Sequence, residues 1–114
     1  MTGAEAEDRA CALLERRGLR LLARNVRSRR GEIDLVMRDG PTLVFVEVRA
    51  RAAGARVAAI DSVDAHKCRR LQAAAQRYLA LHPELAEEPM RFDLVHFAGE
   101  RGGWRRDVLQ FDGR

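Results

Sequence analysis

The chain has 114 residues, a net charge of +4 and a sequence pI near 10.0, a length that supports one core and is too short for two. No stretch approaches the roughly 20 apolar residues of a membrane-crossing helix, and charges open the chain where a secretory leader would be apolar. A single soluble, cytoplasmic domain over 1–114 with no membrane partner is therefore expected.

Residues 4–17 predict a first helix, ended by Gly18 as a C′ residue. Its inner stripe reads Gly3, Glu7, Ala10, Cys11 and Leu14 at helical spacing, so Glu7 rather than Glu5 points to the core. Leu19 to Val26 reads as a strand, with Arg27 to Arg30 as a basic exit loop. Glu32 to Arg38 and Leu43 to Arg49 both alternate, and Asp39-Gly40-Pro41 supplies turn chemistry between them, which makes a hairpin. Ala52 to Ile60 reads as a connection. Asp61 or Ser62 then caps a long helix to about Leu81, stopped by His82-Pro83, with a stripe of Val63, Lys67, Leu71, Ala74 and Tyr78. Met90 to Phe97 and Trp104 to Phe111 predict two last strands, joined by a glycine-rich turn over Gly99 to Gly103. The order α-β-β-β-α-β-β describes an α/β domain, a mixed sheet with helices on two faces.

The hairpin holds two carboxylates, Asp34 and Glu47, inside apolar strands. Burying an unpaired charge costs several kcal/mol or forces its neutralisation, so such residues mark a task. If residues 39–42 form the loop, Arg38 faces Leu43 and Asp34 falls opposite Glu47, with Cβ atoms roughly 4.5–5.5 Å apart. A two-residue Asp39-Gly40 turn would pair Asp34 with Phe45 and leave Glu47 diagonal on the same face; only a one-residue slip separates the two acids. The other face, Ile33, Leu35, Met37, Val44, Val46 and Val48, is wholly apolar and calls for a helix over it, which leaves the acids a side of their own. Two close carboxylates repel, and a divalent cation such as Mg²⁺ or Mn²⁺ would relieve them. Pairing with Arg38, Arg49 or backbone is the structural reading of the same spacing.

Arg27, Arg29 and Arg30 before the hairpin and Arg49, Arg51 and Arg56 after it frame this acidic centre, an arrangement suited to a polyanion. Of 21 basic side chains only Lys67 is a lysine. In so arginine-rich a chain a surviving lysine points to a need for an ammonium, which can release a proton near neutrality where guanidinium cannot; chance survival is the other reading. Cys11 and Cys68 fit no CxxC or disulfide framework and read as buried free thiols on helix stripes, and His66, His82 and His96 lack ligand spacing.

Taken in order, Glu7 and Ala10 before Gly18, Asn25, GEIDLV, FVEVRAR, Ser62-Val63 with Lys67 and Leu71, and RFDLV at Arg91 to Val95 resemble the YraN family of small bacterial proteins. That family has a restriction-endonuclease-like PD-(D/E)xK core, and the match spans almost the whole chain. The resemblance implies Asp34 and Glu47 as metal ligands helped by the Val48 carbonyl, with Glu7 extending the site from the first helix, as in the similar archaeal Holliday-junction resolvases. The chain departs at Arg49, where the nuclease pattern has lysine. Arginine can clamp phosphate oxygens but cannot act as a general base, and Lys67 is a candidate to compensate.

The expected function is thus a Mg²⁺- or Mn²⁺-dependent endonuclease that hydrolyses phosphodiesters in DNA, branched or otherwise structured DNA included. Its catalytic set is Glu7, Asp34, Glu47, Arg49 and Lys67, and its nucleic-acid contacts are Arg27, Arg29, Arg30, Arg51 and Arg56, with homodimerisation left open. The competing readings are a non-catalytic nucleic-acid-binding module and a protein-interaction module, which respectively lack cleavage and lack salt-sensitive DNA affinity.

Overall fold

A computed structural model describes residues 1–54 and 65–109. Helix α1 (Gly3–Arg16) is followed by strands β1 (Arg20–Arg27), β2 (Glu32–Asp39) and β3 (Thr42–Arg51), helix α2 (Ala65–Leu81), a short 3-10 turn (Pro83–Leu85), and strands β4 (Met90–Ala98) and β5 (Arg101–Leu109). The expected cap at Asp61 or Ser62, together with Val63, Arg56 and Phe111, lies outside the described residues.

The strands form one mixed sheet in the order β1-β2-β3-β4-β5. Consecutive strands pair antiparallel except β3 and β4, which run parallel because the connection through α2 carries the chain back across the sheet. The order and class are those expected from the sequence.

Each helix covers one face. The Thr2 hydroxyl caps α1 by accepting from Glu5 N–H at 3.1 Å. Its end is a Schellman arrangement: Gly18 at φ 95°, with Leu19 N–H donating to Leu14 carbonyl and Gly18 N–H to Glu15 carbonyl. Ala6, Ala10, Cys11 and Leu14 of α1 pack on Leu35, Met37, Val44, Val46, Val95 and Phe97. On the opposite face Leu71, Ala74, Ala75 and Tyr78 of α2 cover Val36, Leu43, Phe45 and Phe92, with the Tyr78 ring edge-on to Phe45.

Four expectations need correction. Ile33 packs in the α2 cluster, not with Leu35 and Met37, because regular pairing of β2 with β3 stops at Leu35 and Val46 and Asn25 of the neighbouring strand takes a left-handed φ of 52°. The acids share their side of the sheet with the α2 core, because Val36, Leu43 and Phe45 have the same strand parity as Asp34 and Glu47. Cys68 is half-buried, unlike the buried Cys11. Finally, Gly102 and Gly103 are strand, not turn: the turn is Gly99-Glu100, and each later glycine faces a ring across the ladder. A Cβ at Gly102 would stand 2.7 Å from Phe97 Cε1, and one at Gly103 would fall on the His96 imidazole.

Strand β5 is irregular in a second way. Pairing shifts between Phe92 and Leu94, and Asp107 takes a φ of 58°. This bulge turns the Asp107 N–H onto the buried Asp93 carboxylate at 3.0 Å, which also accepts from Trp104 Nε1 at 2.9 Å and from Arg91 Nε at 3.0 and 3.2 Å. Arg91 reaches on to Asp39 at 2.8 Å.

Candidate acidic cleft and basic groove

The hairpin register brings Arg38 opposite Leu43 and Asp39 opposite Thr42, so the loop itself is only Gly40-Pro41, with Gly40 at φ 58°. Continuing that count sets Asp34 against Glu47. The backbone ladder ends one step earlier, and there the Asp34 side chain takes over: its Oδ2 accepts the Val48 N–H at 2.7 Å.

This opening leaves a cleft of about 100 Å³ lined by Glu32, Asp34 and Glu47 from the sheet and Lys67, Arg70 and Leu71 from α2. Burial pushes Asp34 up to about 7; the Glu47 charge adds to the rise, Glu7 and Glu32 contribute less, and the Val48 N–H opposes it. Glu47, only 8 % exposed, is also raised by burial, while the bond and charge of Lys67 and the charge of Arg49 pull it back. Lys67 Nζ lies 3.0 Å from Glu47 Oε1.

Glu7 comes from α1, which covers the other face of the sheet; it is not among the residues lining the cleft, and only its charge acts on Asp34. The Glu7 side chain is 16 % exposed, 3.7 Å from Arg24, and Asn25, with its amide nitrogen turned inward, donates to it at 3.1 and 3.3 Å. Asn25 itself takes a left-handed φ of 52°. Glu5, by contrast, is exposed.

The predicted cations divide. Arg49 is half-buried opposite His96 in the β3–β4 ladder, and its charge acts on Glu47. Arg27, Arg29 and Arg30 line an open groove of about 720 Å³ with Ser28, Ala73, Gln76 and Arg77. Arg51 borders a different hollow, with Met1, Ala50, Ala52, Gly99 and Glu100. Since β2 begins where antiparallel β3 ends, both hollows open at the same end of the sheet. Arg56 is outside the described residues.

Sequence reasoning missed Glu32 and Arg70 in the cleft and Arg77 in the groove. Strand parity carried the signal for Glu32, two residues before Asp34, and helical spacing carried it for Arg70 and Arg77, three and ten residues after Lys67. Asp93 was missed too, although a carboxylate inside apolar RFDLV invites the question asked of Asp34.

As to fit for a cation, Asp34 and Glu47 offer hard oxygen donors whose ionisation is disfavoured as they stand. Among the described residues no group of three or more His, Cys, Asp or Glu is gathered at metal-holding distance. Such a pair suits Mg²⁺, which takes one or two carboxylates and completes its shell with water and phosphate, and does not suit a closed zinc site.

Residues 6–97 match the profile of the uncharacterised protein family UPF0102. The chain is 52 % identical over 112 residues to a UPF0102 protein of Xanthomonas campestris pv. campestris, covering 96 % of this chain and 92 % of the relative. A UPF0102 protein of Halorhodospira halophila is 51 % identical over 108 residues, covering 95 % and 86 %. One of Methylococcus capsulatus is 46 % identical over 114 residues, covering 96 % and 91 %. With identity of this degree along nearly the full length, the chain belongs to UPF0102, the YraN family.

Proposed function

We propose that this protein is a metal-dependent nuclease that hydrolyses phosphodiester bonds in DNA, branched or otherwise structured DNA among its substrates. The observation that carries the reading is the convergence of Asp34 and Glu47 in one cleft, both raised above the ordinary carboxylate value, with Lys67 bonded to Glu47 and the Arg49 charge acting on it. Buried carboxylates raised in this way are a feature of functional sites, where groups are held in costly protonation states for their chemistry.

Asp34 and Glu47 would hold Mg²⁺ or Mn²⁺. The bound ion would polarise the scissile phosphate and lower the pKa of the attacking water. The Val48 N–H fixes the rotamer of Asp34, leaving its second oxygen for the cleft. Arg49 clamps a non-bridging phosphate oxygen and stabilises the charge that develops there. Lys67, already at the cleft, is the one side chain of the cationic pair able to give a proton to the departing oxygen. Glu7, held by Arg24 and Asn25, adds negative potential from α1.

Arg49 at the position of the nuclease lysine favours a second reading, a nucleic-acid-binding module that does not cleave. A panel of linear, nicked, flapped and four-way DNA incubated with Mg²⁺ or Mn²⁺ separates the two. Cleavage by the wild type that is lost in Asp34→Asn supports the nuclease; binding without cleavage on every substrate supports the module.

A further inference from the structure

The loop between β1 and β2 is built rather than loose. Ser28 N–H donates to the Gly31 carbonyl at 2.8 Å, and the Ser28 hydroxyl oxygen accepts from Arg30 N–H at 3.2 Å and Gly31 N–H at 3.1 Å. Gly31 is pressed against α2 so closely that a Cβ there would fall on the Arg70 carbonyl. The loop is thereby docked on the helix, and its arginines face the next turns of α2, where Ala73, Gln76 and Arg77 complete the groove.

Four guanidiniums line this groove with no carboxylate among them, although Arg27 also lies 3.6 Å from Glu32 at its margin. No aromatic or large apolar side chain lines it either. It therefore has donors for phosphate oxygens and no aromatic platform of the kind on which successive unpaired bases stack. A groove so open fits an extended polyanion rather than an enclosed small anion. Arg70 ties it to the acidic cleft, which it lines on its other side. From Arg70 to Arg77 the helix rises about 10 Å, and at about 3.4 Å per base pair that is roughly three base pairs.

We infer that the groove between the β1–β2 loop and α2 is a preformed site for the sugar–phosphate backbone of a DNA duplex arm, about three base pairs from the bond at the acidic cleft. The inference rests on the nuclease reading for its scissile bond but not for its binding chemistry. Contacts of this kind position the duplex and carry no sequence preference.

The test is binding of a fluorescein-labelled 20-base-pair DNA duplex in EDTA, followed by anisotropy across a salt series, for the wild type, Arg29→Gln/Arg77→Gln and the equal-charge control Arg101→Gln/Arg105→Gln on β5. The groove variant is expected to bind more weakly, with its log–log salt slope reduced by about two, because two phosphate contacts are gone. The control keeps the wild-type slope, and single-stranded DNA of the same sequence binds less tightly than the duplex. Equal slopes in the groove variant and the wild type would overturn the inference, as would tighter binding of the single strand or of an RNA duplex, or no binding by the wild type. A groove that binds in a protein that never cleaves sinks the nuclease alone; cleavage by the wild type with unaltered binding in the groove variant sinks the groove alone.

Discussion

The Lys67 ammonium stands 3.0 Å from Glu47 Oε1, joining α2 to β3 across the acidic cleft. It is the single lysine among 21 basic residues, and it offsets part of what burial does to Glu47. Lys67→Ala is expected to abolish cleavage while leaving DNA affinity nearly intact. It should destabilise the metal-free protein by only about 1 kcal/mol, because Lys67 is 40 % exposed and solvent screens the pair. Lys67→Arg keeps the charge and removes the transferable proton. Full activity in that variant would leave Lys67 a purely electrostatic part.

Asp34 gives the metal-free protein a stability that falls with pH. Its folded pKa is raised to about 7 from the ordinary 3.8 of an aspartate, so between about pH 4 and pH 7 the folded chain holds a proton that the unfolded chain has released. Stability is therefore lost as pH rises through that window, and by pH 8 the cost reaches at most about 4 kcal/mol; Glu47, raised in the same direction, adds to it. Urea unfolding in EDTA at pH 5 and pH 8 should show Asp34→Asn gaining about 2–3 kcal/mol on the wild type between the two. A pH dependence identical in both proteins would remove this assignment of the shift.

Removing a different carboxylate should cost stability rather than add it. Asp93 has no exposed side-chain surface and receives Arg91, the Trp104 indole and the Asp107 amide. Asp93→Ala leaves the Arg91 guanidinium with Asp39 alone and takes the acceptor from the Trp104 indole and the Asp107 amide, so a loss of about 1–3 kcal/mol is expected in urea unfolding at pH 7. Asp93→Asn, which retains an accepting oxygen, should lose less. A neutral effect of Asp93→Ala would mean that β4 and β5 hold together without this network.

Gly31→Ala tests the docking of the basic loop. The added Cβ meets backbone at Arg70, which cannot swing aside as a side chain could. A loss of about 1–3 kcal/mol is expected, together with a reduced salt slope for DNA binding as the loop arginines are displaced. Gly3→Ala is the control, because nothing lies within 4 Å of a Cβ there. Thermal unfolding that treats the two variants alike would refute the close approach.

Much of this architecture is written in local patterns. The Gly18 C′ position, the phase of α1 that turns Glu7 inward, and the parity that puts Asp34 and Glu47 on one side of the hairpin follow from periodicity and one turn, and the structure has the glycine cap, the inward Glu7 and both acids in one cleft. What escaped depends on contacts distant in sequence. The glycines at 102 and 103 resemble a turn until the rings of Phe97 and His96 are opposite them, and Ile33 keeps strand alternation on paper but changes cluster where β2 parts from β3. The basic groove needed the Gly31–Arg70 contact to bring loop and helix together, which no spacing along either one announces.

The kinks at Asn25 and Asp107 lie on the two outermost strands of the described sheet. A straight outer strand displays a row of unshared amides and carbonyls that a neighbouring molecule can copy, and proteins blunt such rows with bends and charge. Here each rim is bent by a residue in the left-handed region and studded with arginine: Arg20, Arg24 and Arg27 on one side, Arg101, Arg105 and Arg106 on the other. Both rims of the described sheet thus carry the bends and charge by which proteins disfavour continuation of a sheet from one molecule into the next.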